Sequence, residues 1–132
     1  MLIYFNATEG SRVPSTPGCP RIVKVIDRKV SLMWTPPDSD GGSEITGYLI
    51  AYTTACGYSH IPEHVTVGVT TTAKVKKMIA RGRSYVFAVA AKNEFGFGDF
   101  SPLTQEVEIP KYHGNFFLSH SDVMRCTLFN PY

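Results

Sequence analysis

No stretch of this chain stays apolar for anything near the roughly 20 residues that a bilayer crossing requires, so no membrane insertion by this segment is expected. Met1-Leu2-Ile3-Tyr4-Phe5 is apolar, but it is too short for the core of a secretory leader and lacks a basic start and a small-residue cleavage site. If the whole protein is secreted or anchored, those signals lie outside this chain. Charge of one sign is scarce as well. Thirteen Lys and Arg against eleven Asp and Glu leave a net +2, which gives no basis for nucleic-acid binding. The three cysteines, Cys19, Cys56 and Cys126, are odd in number and widely spaced, which excludes a disulfide framework. Free thiols are the expectation, and they lean toward a reducing compartment. Against this stands Asn6-Ala7-Thr8, which makes Asn6 a candidate glycosylation site.

Catalytic motifs are missing too. No Gly-x-Ser-x-Gly occurs, and nothing places a base beside a nucleophile. Gly96-Phe97-Gly98 would join two antiparallel strands with no helix N-terminus behind it, so it is not a phosphate loop. Cys56, His60 and His64 could be drawn as metal ligands, but they match no familiar zinc spacing and lack a fourth ligand. On a strand the two histidines would sit about 13 Å apart. The expectation is therefore no catalytic residue, no cofactor and no metal: a protein that is not an enzyme.

What remains is a β protein. Eight Phe, seven Tyr and a single Trp fall in β-branched and aromatic runs broken by turn residues, with no amphipathic helical stripe. Residues 84 to 92 alternate Tyr85, Phe87, Val89 and Ala91 against Ser84, Val86, Ala88, Ala90 and Lys92. Both faces are largely apolar, the pattern of a central strand. Val30, Leu32 and Trp34 alternate with Ser31, Met33 and Thr35, and Tyr48, Ile50 and Tyr52 with Leu49, Ala51 and Thr53. Val23 and Val25 share a parity in a first strand suited to a sheet edge. Further strands are expected over 64–69, 70–75 and 102–109, the last with Leu103, Val107 and Ile109 sharing one parity. Strict alternation past Val75 would bury Lys77 instead of Met78 or Ile79, so a bulge or turn is required near Lys76-Lys77. Residues 1–17, polar and broken by Pro and Gly, read as an incoming linker. The domain is assigned to 18–110, and 111–132 reads as a poorly ordered tail because no period holds across it.

Taken in order, Val30-x-Leu32-x-Trp34-x-Pro36-Pro37, Asp40-Gly41-Gly42-Ser43-x-Ile45-x-Gly47-Tyr48-x-Ile50-x-Tyr52 and Tyr85-x-Phe87-x-Val89-x-Ala91-x-Asn93, closed by Gly96-x-Gly98, resemble a fibronectin type III domain. The resemblance implies an all-β, seven-stranded immunoglobulin-like sandwich, with strands A, B and E facing G, F, C and C′. It also implies a Trp34 indole between the sheets and a tyrosine corner at Tyr85, its hydroxyl bonded to backbone near residues 79–82. The structural core would be Trp34, Tyr48, Ile50, Tyr52, Tyr85, Phe87 and Val89. Arg81 departs from the family, which usually has Pro there. Paired cysteines and a Trp-Ser-x-Trp-Ser element are absent, which disfavours the cytokine receptors. No Arg-Gly-Asp cue for integrins is present.

The resemblance implies a noncatalytic spacer and docking module of a multidomain chain, with protein partners that include neighbouring immunoglobulin or type III domains. An extracellular place in a cell-surface adhesion or signalling receptor is the first expectation, and a cytoplasmic, sarcomeric, titin-like protein is the alternative. Candidate partner contacts are Phe95, Phe97 and Phe100 at the F–G tip, with Asp38 and Asp40 in the B–C loop. Lys74, Lys76, Lys77, Arg81 and Arg83 form a candidate basic patch, either a solvated face or a site for heparan sulphate.

Overall fold

The longest strand is built from the alternating run. β6 (Ser84–Asn93) has Tyr85, Phe87, Val89 and Ala91 buried on one face, with Ala88 and Ala90 buried on the other. It occupies the middle of its sheet. The computed structural model describes residues 12–55 and 62–111, together with the backbone of 115–116 and 126–127. The other strands are β1 (Arg21–Ile26), β2 (Lys29–Met33), β3 (Gly47–Thr54), β4 (Glu63–Val67), β5 (Thr72–Val75), β7 (Gly96–Phe97), β8 (Leu103–Thr104), β9 (Val107–Glu108), β10 (Asn115–Phe116) and β11 (Cys126–Thr127).

Two facing antiparallel sheets form, and β8 pairs separately with β11 in a small two-stranded sheet. One has the order β10-β1-β2-β5; the other runs β4-β3-β6-β7, with β9 also on β6. The expected all-β sandwich is borne out, with β1, β2 and β5 as A, B and E facing β4, β3, β6 and the β7–β9 pieces as C′, C, F and G. Between the sheets lie Trp34, Tyr48, Ile50, Tyr52, Tyr85, Phe87 and Val89, with Val25, Val30, Leu32, Val75, Val107 and Ile109. Trp34 meets Tyr48 edge to face at 5.3 Å, and Tyr52 stacks on Phe87 at 5.5 Å. Each such side chain contributes roughly 1.5–3 kcal/mol by leaving water.

Three local readings need correction. The register of β1 against β2 shifts between Ile22 and Lys24. That bulge turns Ile22 and Val25 inward and leaves Val23 45% exposed. Strict parity had paired Val23 with Val25, and an extra residue in one strand breaks that rule. Leu103 is only partly buried, while Thr104 is buried. Pro102 has no amide to give to a ladder, β8 pairs with β11 and not with β6, and two amides of β6 are met by side-chain hydroxyls. The Phe87 amide donates to Thr104 Oγ1 at 3.1 Å and the Val89 amide to Ser101 Oγ at 3.0 Å. Finally, β1 is not a bare edge, since Val25 and Ile26 pair with Phe116 and Asn115 of β10.

The turn required after β5 exists. Met78 adopts a left-handed conformation with φ 57°, which leaves it 66% exposed and drives Ile79 into the core. Tyr85 lies over this turn: its hydroxyl accepts the Ala80 amide at 2.9 Å and donates to the Met78 carbonyl at 3.3 Å. Arg81 has an evident use. It pairs with Asp27 in the β1–β2 turn, where Asp27 also has a positive φ of 57°.

Candidate functional site

The loops joining β2 to β3 and β6 to β7 meet at one end of the sandwich. In the first, the Gly42 amide donates to Asp40 Oδ1 at 2.8 Å and the Gly41 amide to Ser39 Oγ at 3.1 Å. These are side-chain-closed turns, completed by positive φ at Gly41 and Gly42. In the second, Asn93 Oδ1 accepts the Phe95 amide at 2.8 Å. Ser43 Oγ ties the two loops together by donating to Glu94 at 2.7 Å. Asp38 and Asp40 are both exposed here.

The three phenylalanines have different neighbours. Phe95, Phe97 and Phe100 are 49%, 41% and 40% exposed, and each meets a different basic group. The Arg12 guanidinium sits 5.3 Å over the Phe95 ring, and Lys92 Nζ sits 5.3 Å over Phe97. Phe100 tilts against His64 at 6.4 Å. Phe100 and His64 belong to a shallow apolar depression of about 170 Å³ on the outer face of the β4-β3-β6 sheet, with Ala51, Val86, Ala88 and Leu103. Periodicity exposed the apolar outer face of β6 but gave no means of seeing that Leu103 and Phe100 would lie over it.

Of the basic residues, Arg81 and Arg83 line one pocket together with Glu106. Lys74 on β5 lines a groove with Val23, Lys24 and Met33. Arg83, just before β6, also lines a pocket of the other sheet with Tyr52 and Glu63. Lys76 and Lys77 are exposed, and the Lys77 carbonyl accepts the Tyr52 hydroxyl at 2.6 Å. Arg81 is engaged by Asp27.

The thiols call for a further correction. Cys19 is disulfide-bonded, and its Sγ lies 4.0 Å from the Leu103 carbonyl oxygen. A count of cysteines by parity could not reveal this, because one bond plus one remaining cysteine is also an odd total. Asn6, Cys56 and His60 lie outside the described residues. Among the described residues no cluster of His, Cys, Asp and Glu is arranged to hold a metal ion, and no helix is long and apolar enough to cross a membrane.

Two facing antiparallel sheets, a Trp between them and a tyrosine corner define an immunoglobulin-like sandwich. The chain belongs to the fibronectin type III domain family, whose model matches residues 15–107. That family is generally a noncatalytic module. The chain is 33% identical over 124 residues to protein sax-3 of Caenorhabditis elegans, a match covering 92% of this chain and 9% of that protein. It is 32% identical to human slow-type myosin-binding protein C, over 76% of this chain and 9% of the relative. Less than a tenth of either relative is thus represented. Among solved structures, the kinase region of C. elegans twitchin (Fn31-NL-kin-CRD-Ig26) superposes with a TM-score of 0.68 at 28% identity, over 75% of this chain and 17% of that one. Domains FN1–FN3 of chicken CNTN1 superpose at 0.64 and 27% identity, over 74% of this chain and 33% of that one. The relatives include both cell-surface receptors, such as sax-3 and mouse sidekick-1, and sarcomeric proteins, such as titin and myosin-binding protein C.

Proposed function

We propose that this domain is a noncatalytic spacer and docking module in the extracellular part of a cell-surface adhesion or signalling receptor, where it presents its loops rigidly to protein partners and adjoining domains. The observation carrying this reading is the disulfide at Cys19. Such bonds persist in oxidising compartments and are rare in the cytosol, which supports the receptor reading over the sarcomeric one. The rigid sandwich supports presentation without chemistry, since its loops are held by their own hydrogen bonds. Heparan sulphate is not part of the reading, because Lys74 and Arg83 line different grooves and Arg81 already has an acidic partner.

The test is a peptide map of the protein from its native source, alkylated before lysis and left unreduced. The expected result is Cys19 joined to a second cysteine-containing peptide, together with glycan on Asn6. Cys19 recovered as the alkylated thiol, with Asn6 bare, would instead place the module among the intracellular relatives.

A further inference from the structure

The end of the sandwich formed by the β2–β3 and β6–β7 loops is occupied by the chain's own incoming segment. The Ser15 amide donates to the Ser39 carbonyl at 2.9 Å, and the Ser39 amide returns a bond to Ser15 Oγ at 3.0 Å. The fully buried side chain of Asn93 uses Nδ2 to bridge the Arg12 carbonyl at 2.6 Å and the Asp40 carbonyl at 2.8 Å. Its Oδ1 closes the β6–β7 turn, so one amide locks both loops and the segment together. Two glycines let the segment come this close. A Cβ on Gly98 would stand 2.0 Å from the Pro14 carbonyl oxygen, and one on Gly41 would stand 2.3 Å from that of Arg12. Pro14 and Pro17 are buried, and the Arg12 guanidinium covers Phe95.

We infer that this end of the domain is a seat for the segment around residues 12–16, and that it works as a stiff joint: chain or domain preceding Arg12 leaves in a direction fixed by Asn93, Gly41 and Gly98 instead of swinging on a flexible linker. A polar stretch with prolines would otherwise behave as a semi-rigid spacer at most. Here the Arg12 carbonyl and the Ser15 amide are both taken up by the domain. The inference holds in either compartment, so it does not depend on the placement of the receptor.

Native-state trypsin digestion of the 132-residue chain, with hydrogen exchange on the same protein, tests it. Cleavage after Arg12 is expected to be about tenfold faster in Asn93→Ala and in Gly98→Ala than in the wild type, with cleavage at the exposed Lys76 and Lys77 unchanged. In the wild type alone, the Ser15 amide is expected to exchange as slowly as the Gly98 amide, which donates to the Ala91 carbonyl. This second measurement stands even if a variant does not fold. Wild-type cleavage after Arg12 as fast as in the variants, or exchange at Ser15 as fast as in an open chain, would overturn the joint.

Discussion

The hydroxyl of Tyr85 lies 2.9 Å from the amide nitrogen of Ala80, and this contact fastens the turn after β5 to the strand at the centre of the second sheet. The turn is also held by the Tyr52 hydroxyl on the Lys77 carbonyl at 2.6 Å and by a longer Ile79-to-Lys76 backbone bond of 3.4 Å. Removing the hydroxyl in Tyr85→Phe leaves the Ala80 amide without its acceptor and is expected to cost about 1–3 kcal/mol. Tyr85→Ala would cost more, because the ring also leaves the core. Urea unfolding followed by Trp34 fluorescence measures both. Equal stability of wild type and Tyr85→Phe would mean that the corner contributes nothing.

Met78 makes a converse prediction. Its left-handed backbone (φ 57°) costs an L-residue roughly 1–2 kcal/mol, and its exposed side chain returns little packing. Glycine relieves that strain but loses about 0.4–1 kcal/mol through the greater freedom of the unfolded chain. Met78→Gly is therefore expected to be neutral or stabilising by up to about 1 kcal/mol, whereas the β-branched Met78→Val should destabilise. Thermal unfolding of the pair checks the order, and a wild type more stable than both would contradict it.

Much of this architecture was legible because period-2 alternation and the Trp34 and Tyr85 positions are local signals. Each can be read within a window of about ten residues. Val23 and Leu103 misled for the same reason: a bulge and a proline shift the parity, and nothing in a short window announces the shift. The candidate site was less legible. Its defining bond, from Asn93 to the Arg12 carbonyl, joins residues 81 apart in sequence, and Asn93 looked locally like a turn residue only. Arg81 was visible as a departure from the family, but its acidic partner Asp27 lies on another turn and could be found only in three dimensions.

Alkaline pH should weaken the fold. Burial raises the pKa of Tyr48 above the ordinary 10.0. Burial raises that of Tyr52 as well, with smaller contributions from the Glu63 carboxylate and from Tyr85. Both phenols are thus more easily ionised in the unfolded chain. The stability they contribute is complete below the unfolded value near 10.0 and is lost as pH rises through it toward the raised folded values. Urea midpoints are expected to fall above about pH 10, with the Tyr48 and Tyr52 share of the tyrosinate absorbance of the folded protein appearing late. Tyr52→Phe should start less stable, having lost its bond to the Lys77 carbonyl, and should show a shallower alkaline decline. A decline as steep as that of the wild type would remove Tyr52 as a cause.

The irregular strand after Phe100 gives the most specific prediction. Two buried amides of β6, those of Phe87 and Val89, are satisfied by the hydroxyls of Thr104 and Ser101 in place of a backbone ladder. Thr104→Val keeps shape and volume but removes the acceptor, leaving the Phe87 amide without a protein partner at the centre of the sandwich. A loss of about 1–3 kcal/mol is expected. Thr104→Ser keeps the hydroxyl and should lose only the packing of one methyl, about 1 kcal/mol or less. Ser101→Ala should resemble Thr104→Val through the Val89 amide. Hydrogen exchange distinguishes this account from a general loosening: Thr104→Val should speed exchange at Phe87 far more than at Val89, and Ser101→Ala should do the reverse. Uniform acceleration at both amides would mean that the hydroxyls act through packing and not as acceptors.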